Sequence, residues 1–224
     1  QQNLLCNKFV NASEDENGVL QGMTFSDEES YNFAFDTVDA IARREPEKLA
    51  MVHVANDMTE RRFTFKDLKD ASSQSANYFK SLGIKRGDRV MLVLKRHYQF
   101  WFAILGLHKL GAIAIPATNQ LMEHDFVYRF QAADVSAVVC TADGNTAEQI
   151  ELAEKSAGMD LTKVLVGGSR VGWHNYNEEY KLFSRRYERT EDAPCGSDPM
   201  LMLFTSGTTG YPKMATHSYK YALG

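Results

Sequence analysis

The segment Thr205-Ser206-Gly207-Thr208-Thr209-Gly210-Tyr211-Pro212-Lys213 concentrates more chemistry than any other stretch of this 224-residue sequence. Gly207 and Gly210 let a backbone bend tightly and approach a ligand without side-chain obstruction. Thr205, Ser206, Thr208 and Thr209 carry hydroxyls that can donate to anionic oxygens, and Lys213 supplies a full positive charge. No acidic residue interrupts the run. A hydrogen bond to a charged group contributes roughly 1.5–3 kcal/mol, so several together suffice to hold a polyphosphate. The spacing is not that of the nucleotide-kinase loop G-x-x-x-x-G-K-[ST], because Lys213 lies beyond a proline. The bland alternative is a Ser/Thr/Gly-rich surface turn with a chance lysine. Hydroxyls at four of the six positions from Thr205 to Gly210, directly after an apolar run, favour the anion site.

The rest of the sequence offers weaker chemistry. Ser206 does not sit in a G-x-S-x-G elbow, so a hydrolase triad has no support. His53, His97, His108, His124 and His174 pair with no nucleophile and read as core or surface residues, and His217 as a packed, hydrogen-bonded structural histidine. The three cysteines, Cys6, Cys140 and Cys195, form no CxxC and no cluster with the six histidines, which argues against a metal site. Cys140 ends the apolar run Ala137-Val138-Val139-Cys140 and reads as a buried, reduced thiol. A reducing, cytoplasmic location is the expectation. A net charge of −4 with scattered arginine pairs is no footprint for nucleic acid. No run of about 18 apolar residues suggests a membrane span.

The loop needs elements to position it, and the hydropathy pattern supplies them. Residues 1–30 are polar and acidic and read as an extended arm. A helix is expected from about Asn32 to Arg44, ahead of Pro46. Leu49–Val54 and Arg62–Phe65 flank the turn signal Asn56-Asp57 as a hairpin. Thr64 caps the next helix, with Asp67 in its first turn, an inner stripe of Leu68, Ala71, Ser75, Phe79 and Leu82, and Gly83 at its end. Apolar strands follow at Arg89–Leu94, Ala112–Pro116, Ser136–Thr141 and Lys163–Gly167. Helices at Tyr98–Lys109, Asp125–Ala133 and Thr146–Ser156 separate them. Strands apolar on both faces and alternating with helices imply an α/β fold: a mainly parallel sheet with helices on both faces. Ser169–Ser197 is a connector with a short helix near Asn177–Leu182. Met200–Phe204 is a buried strand running into the hydroxyl-rich loop, and Met214–Leu223 is expected to begin a helix. A loop between strand and helix gains from the helix dipole, about 0.3–1 kcal/mol. A helix stopping so soon has little apolar face to bury, which reads as a fragment. The expected organisation is 1–30 as an N-terminal arm, 31–198 as an α/β subdomain and 199–224 as the start of a next subdomain carrying the loop.

TSGTTGYPK resembles the phosphate-binding signature of the adenylate-forming superfamily, which spans acyl-CoA synthetases, coumarate-CoA ligases, luciferases and peptide-synthetase adenylation domains. The stretch from TFKDL through GDRV to GAIAIPAT is similar to the first half of their large domain. The tail LFTSGTTGYPKMATHSYKYALG looks closest to medium-chain acyl-CoA synthetases, with Met214 where most relatives place glycine. The resemblance implies a chain that joins a carboxylic acid to AMP from ATP, with Mg2+, and then passes the acyl group to CoA. It implies that Thr205, Ser206, Gly207, Thr208, Thr209, Gly210 and Lys213 wrap the terminal phosphates of ATP. It also implies that the remaining nucleotide contacts, the acidic magnesium ligand and the catalytic lysine lie beyond Gly224. No catalytic residue is then expected in this chain, and the fragment itself is expected to be inactive. An aryl-CoA ligase, an amino-acid adenylation domain and a noncatalytic nucleotide-binding module are the alternatives.

Overall fold

The continuous apolar runs become the centre of a seven-stranded sheet. A computed structural model describes residues 8–205 and 210–223. The strands are β1 (Val10–Glu14), β2 (Leu20–Phe25), β3 (Leu49–Val54), β4 (Glu60–Thr64), β5 (Arg89–Val93), β6 (Ile113–Pro116), β7 (Val135–Thr141), β8 (Thr162–Val166), β9 (His174–Asn175), β10 (Pro199–Thr205) and β11 (Lys213–Ser218). The α-helices are α1 (Ala40–Arg44), α2 (Phe65–Ser81), α3 (Gln99–Leu110), α4 (Glu123–Ala133), α5 (Thr146–Ala157) and α6 (Tyr176–Glu179). The large sheet runs β11-β10-β6-β5-β7-β8-β9, parallel throughout except for the antiparallel pair β10–β11. β3 and β4 form the expected hairpin.

Alternation along the central strands explains why both faces are covered. Val90 and Leu92 of β5 point to one side, where α2 and α3 supply Leu68, Phe79, Phe102 and Leu107. Met91 and Val93 point to the other, where α4 and α5 supply Phe126, Phe130, Ile150 and Ala153. Each such fully buried side chain contributes about 1.5–3 kcal/mol relative to exposure, so the two layers dominate stability. The layer formed by α2 and α3 is drawn tight. A Cβ built at Gly106 would sit 2.7 Å from the Ser75 Cβ, so only glycine lets the helices approach this closely. Thr64 begins α2 with a full capping box, accepting from the Asp67 amide while the Asp67 carboxylate accepts from the Thr64 amide.

Two neighbouring residues near the end of α3 bind the N-terminal part of the chain to this layer. Lys109, 1% exposed, donates from Nζ to Asp39 Oδ1 at 2.9 Å and to Ser73 Oγ at 3.1 Å. Asp39 ends the π-helical turn Phe33–Asp39 that leads into α1. Burial pushes the Asp39 carboxyl up and the Lys109 ammonium down, while their attraction opposes both shifts. The carbonyl of His108 accepts from Asn32 Nδ2 at 3.1 Å and from Tyr219 Oη at 2.8 Å. Its imidazole is buried, with no hydrogen-bond partner for either ring nitrogen among the described residues.

Three expectations change. The arm is a β-hairpin, because Asp15 accepts from the amides of Asn17 and Val19 and turns β1 back onto β2. The connector adds the short strand β9, paired in parallel with β8. The helix expected at Met214–Leu223 is instead strand β11 followed by a 3-10 turn, Tyr219–Leu223. β10 would otherwise present unpaired amides and carbonyls on its outer side. Pairing from Pro199–Ser218 to Thr205–Lys213 satisfies them, and a short isolated helix offers nothing comparable.

Lys109→Met should destabilise the protein by about 3–5 kcal/mol in urea denaturation, because it strands a buried carboxylate. The double variant Asp39→Leu/Lys109→Met should recover most of that loss. His108 gives a second expectation. Burial pushes its imidazole down from 6.5 to about 4. Between those values the unfolded chain takes up a proton that the folded chain refuses. Stability therefore falls as pH drops through this window, by up to about 1.4 kcal/mol per pH unit. His108→Leu should give a shallower decline of stability between pH 6.5 and 4.5.

Candidate functional site: the β10–β11 turn

β10 emerges from the buried sheet and carries Thr205 to its carboxyl end; β11 returns from Lys213, whose Cα stands opposite that of Thr205. The Thr205 hydroxyl donates to the Lys213 carbonyl oxygen at 3.3 Å, which closes the base of the turn. Gly210 has φ of 84°, a left-handed conformation that favours glycine. No atom lies within 4 Å of where its Cβ would stand, so conformation rather than crowding demands glycine. The Lys213 side chain is exposed and has no ion-pair partner among the described residues. Ser206, Gly207, Thr208 and Thr209 lie outside the described residues.

The turn is braced by α4. The Tyr128 ring stacks on Tyr211 at 4.6 Å and 19° between planes, and its hydroxyl donates to the Pro212 carbonyl at 2.9 Å. The Arg129 guanidinium lies 5.3 Å from the Phe204 ring centroid on β10. One face of Tyr211 is thus held, although the residue is 72% exposed. Sequence reasoning missed Tyr128. Nothing in its spacing on α4 separates it from an ordinary helical aromatic, and only the pairing of distant segments reveals its contact.

The helix dipole expected at this loop is absent, because β11 follows it. The positive charge at the turn is therefore that of Lys213, a compact ammonium that acts as a point charge. His53, His97, His174 and His217 find their partners away from the turn. His97 Nε2 sits 2.8 Å from Thr141 Oγ1, and His53 Nε2 lies 3.2 Å from the Arg96 carbonyl. His174 pairs with Glu179, while His217 packs by ring contact on Tyr221 at 4.2 Å. The Cys140 thiol is buried and pushed up to about 12, so it stays protonated and unreactive. Among the described residues no helix is long and apolar enough to cross a membrane.

Comparison with known proteins agrees with this geometry. The family model described as AMP-binding enzyme matches residues 38–224. Acyl-coenzyme A synthetase ACSM5, mitochondrial, of Rattus norvegicus is 34% identical over 205 residues, covering 88% of this chain and 35% of the relative. Acyl-coenzyme A synthetase ACSM1, mitochondrial, of Homo sapiens is also 34% identical, over 87% of this chain and 34% of the relative. Among solved structures, the anthranilate CoA ligase AuaEII in complex with anthranoyl-AMP superposes with a TM-score of 0.71 at 25% identity, over 86% of this chain and 35% of that one. An acyl-CoA synthetase from Brucella canis superposes with a TM-score of 0.74 at 24% identity, over 88% and 35%. The chain therefore spans about a third of the length of the curated relatives it matches. The AMP-binding enzyme model spans most of the chain, and the sheet that carries the Thr205–Lys213 turn belongs to a fold shared with an anthranilate CoA ligase: this chain belongs to the AMP-binding enzyme family.

Proposed function

We propose that this chain is the N-terminal part of an ATP-dependent acyl-CoA synthetase, and that the β10–β11 turn holds the β- and γ-phosphates of ATP. The observation that carries the reading is Lys213, exposed and without an ion-pair partner among the described residues, at the base of a turn that the Thr205 hydroxyl closes on the Lys213 carbonyl and that contains the left-handed Gly210. The reaction joins a carboxylic acid to AMP with release of pyrophosphate, then moves the acyl group to the CoA thiol. In the first step negative charge builds on the departing pyrophosphate. Fixed donors aimed at that charge stabilise the transition state more than the ground state. Thr205, Ser206, Thr208 and Thr209 supply hydroxyls, Gly207 and Gly210 let the backbone approach, and Lys213 supplies the counter-charge. Tyr128 is a positioning residue, fixing Tyr211 and Pro212 so that Lys213 leaves the strand in one direction.

Among the described residues no group of three or more His, Cys, Asp or Glu side chains is placed to hold a metal ion. Mg2+ would shield the phosphate charge of the bound nucleotide, and no residue here is assigned to it. No residue here is assigned as an acid, base or nucleophile of the reaction, and the isolated chain is expected to form no acyl-CoA. The free Cys140 and Cys195 thiols suit a reducing compartment, and the proposal places the protein in the cytoplasm. The likeness to an anthranilate CoA ligase favours an aryl-CoA ligase as the second reading. Amino-acid adenylation and noncatalytic nucleotide binding are the further alternatives.

Calorimetry with ATP and Mg2+ tests the site. Lys213→Ala should weaken binding about tenfold, the equivalent of one charge-assisted contact; unchanged affinity would remove the turn from the site. Tyr128→Ala should weaken ATP binding without lowering the melting temperature by more than a few degrees, and Tyr128→Phe should do so less, because it retains the stack on Tyr211. An acyl-CoA formation assay on this chain should show no turnover.

A further inference from the structure

Among the described residues β1 and β2 pair with one another and with no other strand. Their register sets Val10 opposite Phe25 and Ala12 opposite Met23, with Leu20 opposite Glu14 beyond a bulge. Side chains alternate along a strand, so these residues share one face, while Asn11, Ser13 and Thr24 share the other. An antiparallel pair with one apolar and one polar face commonly covers something with the apolar one. Here that face is open: Phe25 is 39%, Met23 43% and Leu20 57% exposed. Phe25 also borders a groove of about 560 Å³ that it shares with Tyr221 and Leu223 of the 3-10 turn.

The backbone of the hairpin is open as well. The Ser26 amide donates to the Phe9 carbonyl at 2.9 Å, which extends the β1–β2 ladder by one bonded pair. Bonded and non-bonded pairs alternate in an antiparallel ladder. The Thr24 amide therefore points to β1, and those of Met23 and Phe25 point away from it, along the free edge of β2. A two-stranded hairpin is marginally stable in water by itself. A further strand on such an edge adds backbone hydrogen bonds and side-chain cover together.

Charge decides what kind of strand fits. Residues 8–30 carry the carboxylates Glu14, Asp15, Glu16, Asp27, Glu28 and Glu29 against a single lysine, Lys8. Asp15 is used by its own turn, and Lys220 takes Glu28 and Glu29. Glu14, Glu16 and Asp27 have no ion-pair partner among the described residues. Glu14 and Glu16 precede β2 at the hairpin turn and Asp27 follows its other end, so acidic charge brackets the apolar edge. Two copies of this edge, paired antiparallel, would bring like charges together at both ends, which is unfavourable.

We propose that the free edge of β2 is a docking site for an extended peptide segment, apolar at alternate positions and bearing Lys or Arg at both ends. Its length matches the six residues of β2, about 20 Å. Its apolar side chains lie beside Leu20, Met23 and Phe25, and its backbone bonds along the edge that carries the Met23 and Phe25 amides. Its end charges meet Glu14 and Glu16 on one side and Asp27 on the other. The site stands independently of the adenylation reading, and its failure would leave that reading intact.

Backbone amide NMR of this chain tests it with the synthetic peptide Lys-Lys-Val-Thr-Val-Thr-Val-Thr-Lys-Lys as probe. One control peptide carries glutamates for the lysines, and a second carries serines for the valines. The probe should give saturable shifts, largest at Met23 and Phe25, and each control should bind at least about tenfold more weakly. Glu14→Lys/Glu16→Lys should weaken the probe about fivefold or more, and added salt should weaken it in the original chain. Met23→Asp/Phe25→Asp should abolish the shifts, with the amides of β5, β6 and β7 unmoved as the report of an intact fold. Lys213→Ala should change nothing. The proposal is overturned by an absence of saturation, by a control that binds as well as the probe, or by shifts confined to residues outside 10–27. Sedimentation equilibrium without peptide should show a monomer. Self-association that Met23→Asp/Phe25→Asp removes would assign the edge to a second copy and overturn the proposal too.

Discussion

Parallel pairing of the central strands is the constraint from which the rest of the structure follows. Strands that run the same way deliver all their outgoing connections to one edge of the sheet, whatever the sequence of each connection. Thr205 at the end of β10, Thr118 after β6, Lys95–His97 after β5 and Asp143 after β7 therefore share that edge. Parallel strands also need crossovers, and these crossovers supply the helices that bury both faces. The apolar core and the polar edge are two consequences of one choice of strand direction.

Packing then fixes the edge in place. Phe126 and Phe130 anchor α4 on one face, which sets where Tyr128 meets Tyr211 and Pro212. On the opposite face, Gly106 lets α3 sit close on α2. The buried pair Lys109–Asp39 and the His108 carbonyl, shared by Asn32 and Tyr219, tie both ends of the described chain to α3. Buried polar groups of this kind contribute as much to a unique arrangement as to net stability, since each orphaned partner is costly.

β11 shows where local reading stops. Met214–Leu223 has no strong helical stripe and no strict alternation, so neighbouring residues alone do not choose between helix and strand. The exposed side of β10 chooses, because its amides and carbonyls need partners. That outcome changes the chemistry of the turn: with no helix behind it, Lys213 rather than a dipole provides the attraction for an anion. The hairpin at β1–β2 is a similar case, where the Asp15 carboxylate organises a turn within a segment whose composition suggested only an extended arm.

By itself the sequence determined the alternation of strands and helices, the helix signals at Thr64 and Gly83, and the hydroxyl-rich turn with its lysine. Each of these rests on residues close together in the chain, where spacing and side-chain type act directly. Only the tertiary structure decided the strand order, the clasp of Tyr128 on the turn, and the burial of Lys109 against Asp39. Those contacts join residues tens of positions apart. They depend on which strand lies beside which, and a sheet settles that by burying both faces and satisfying every backbone group at once.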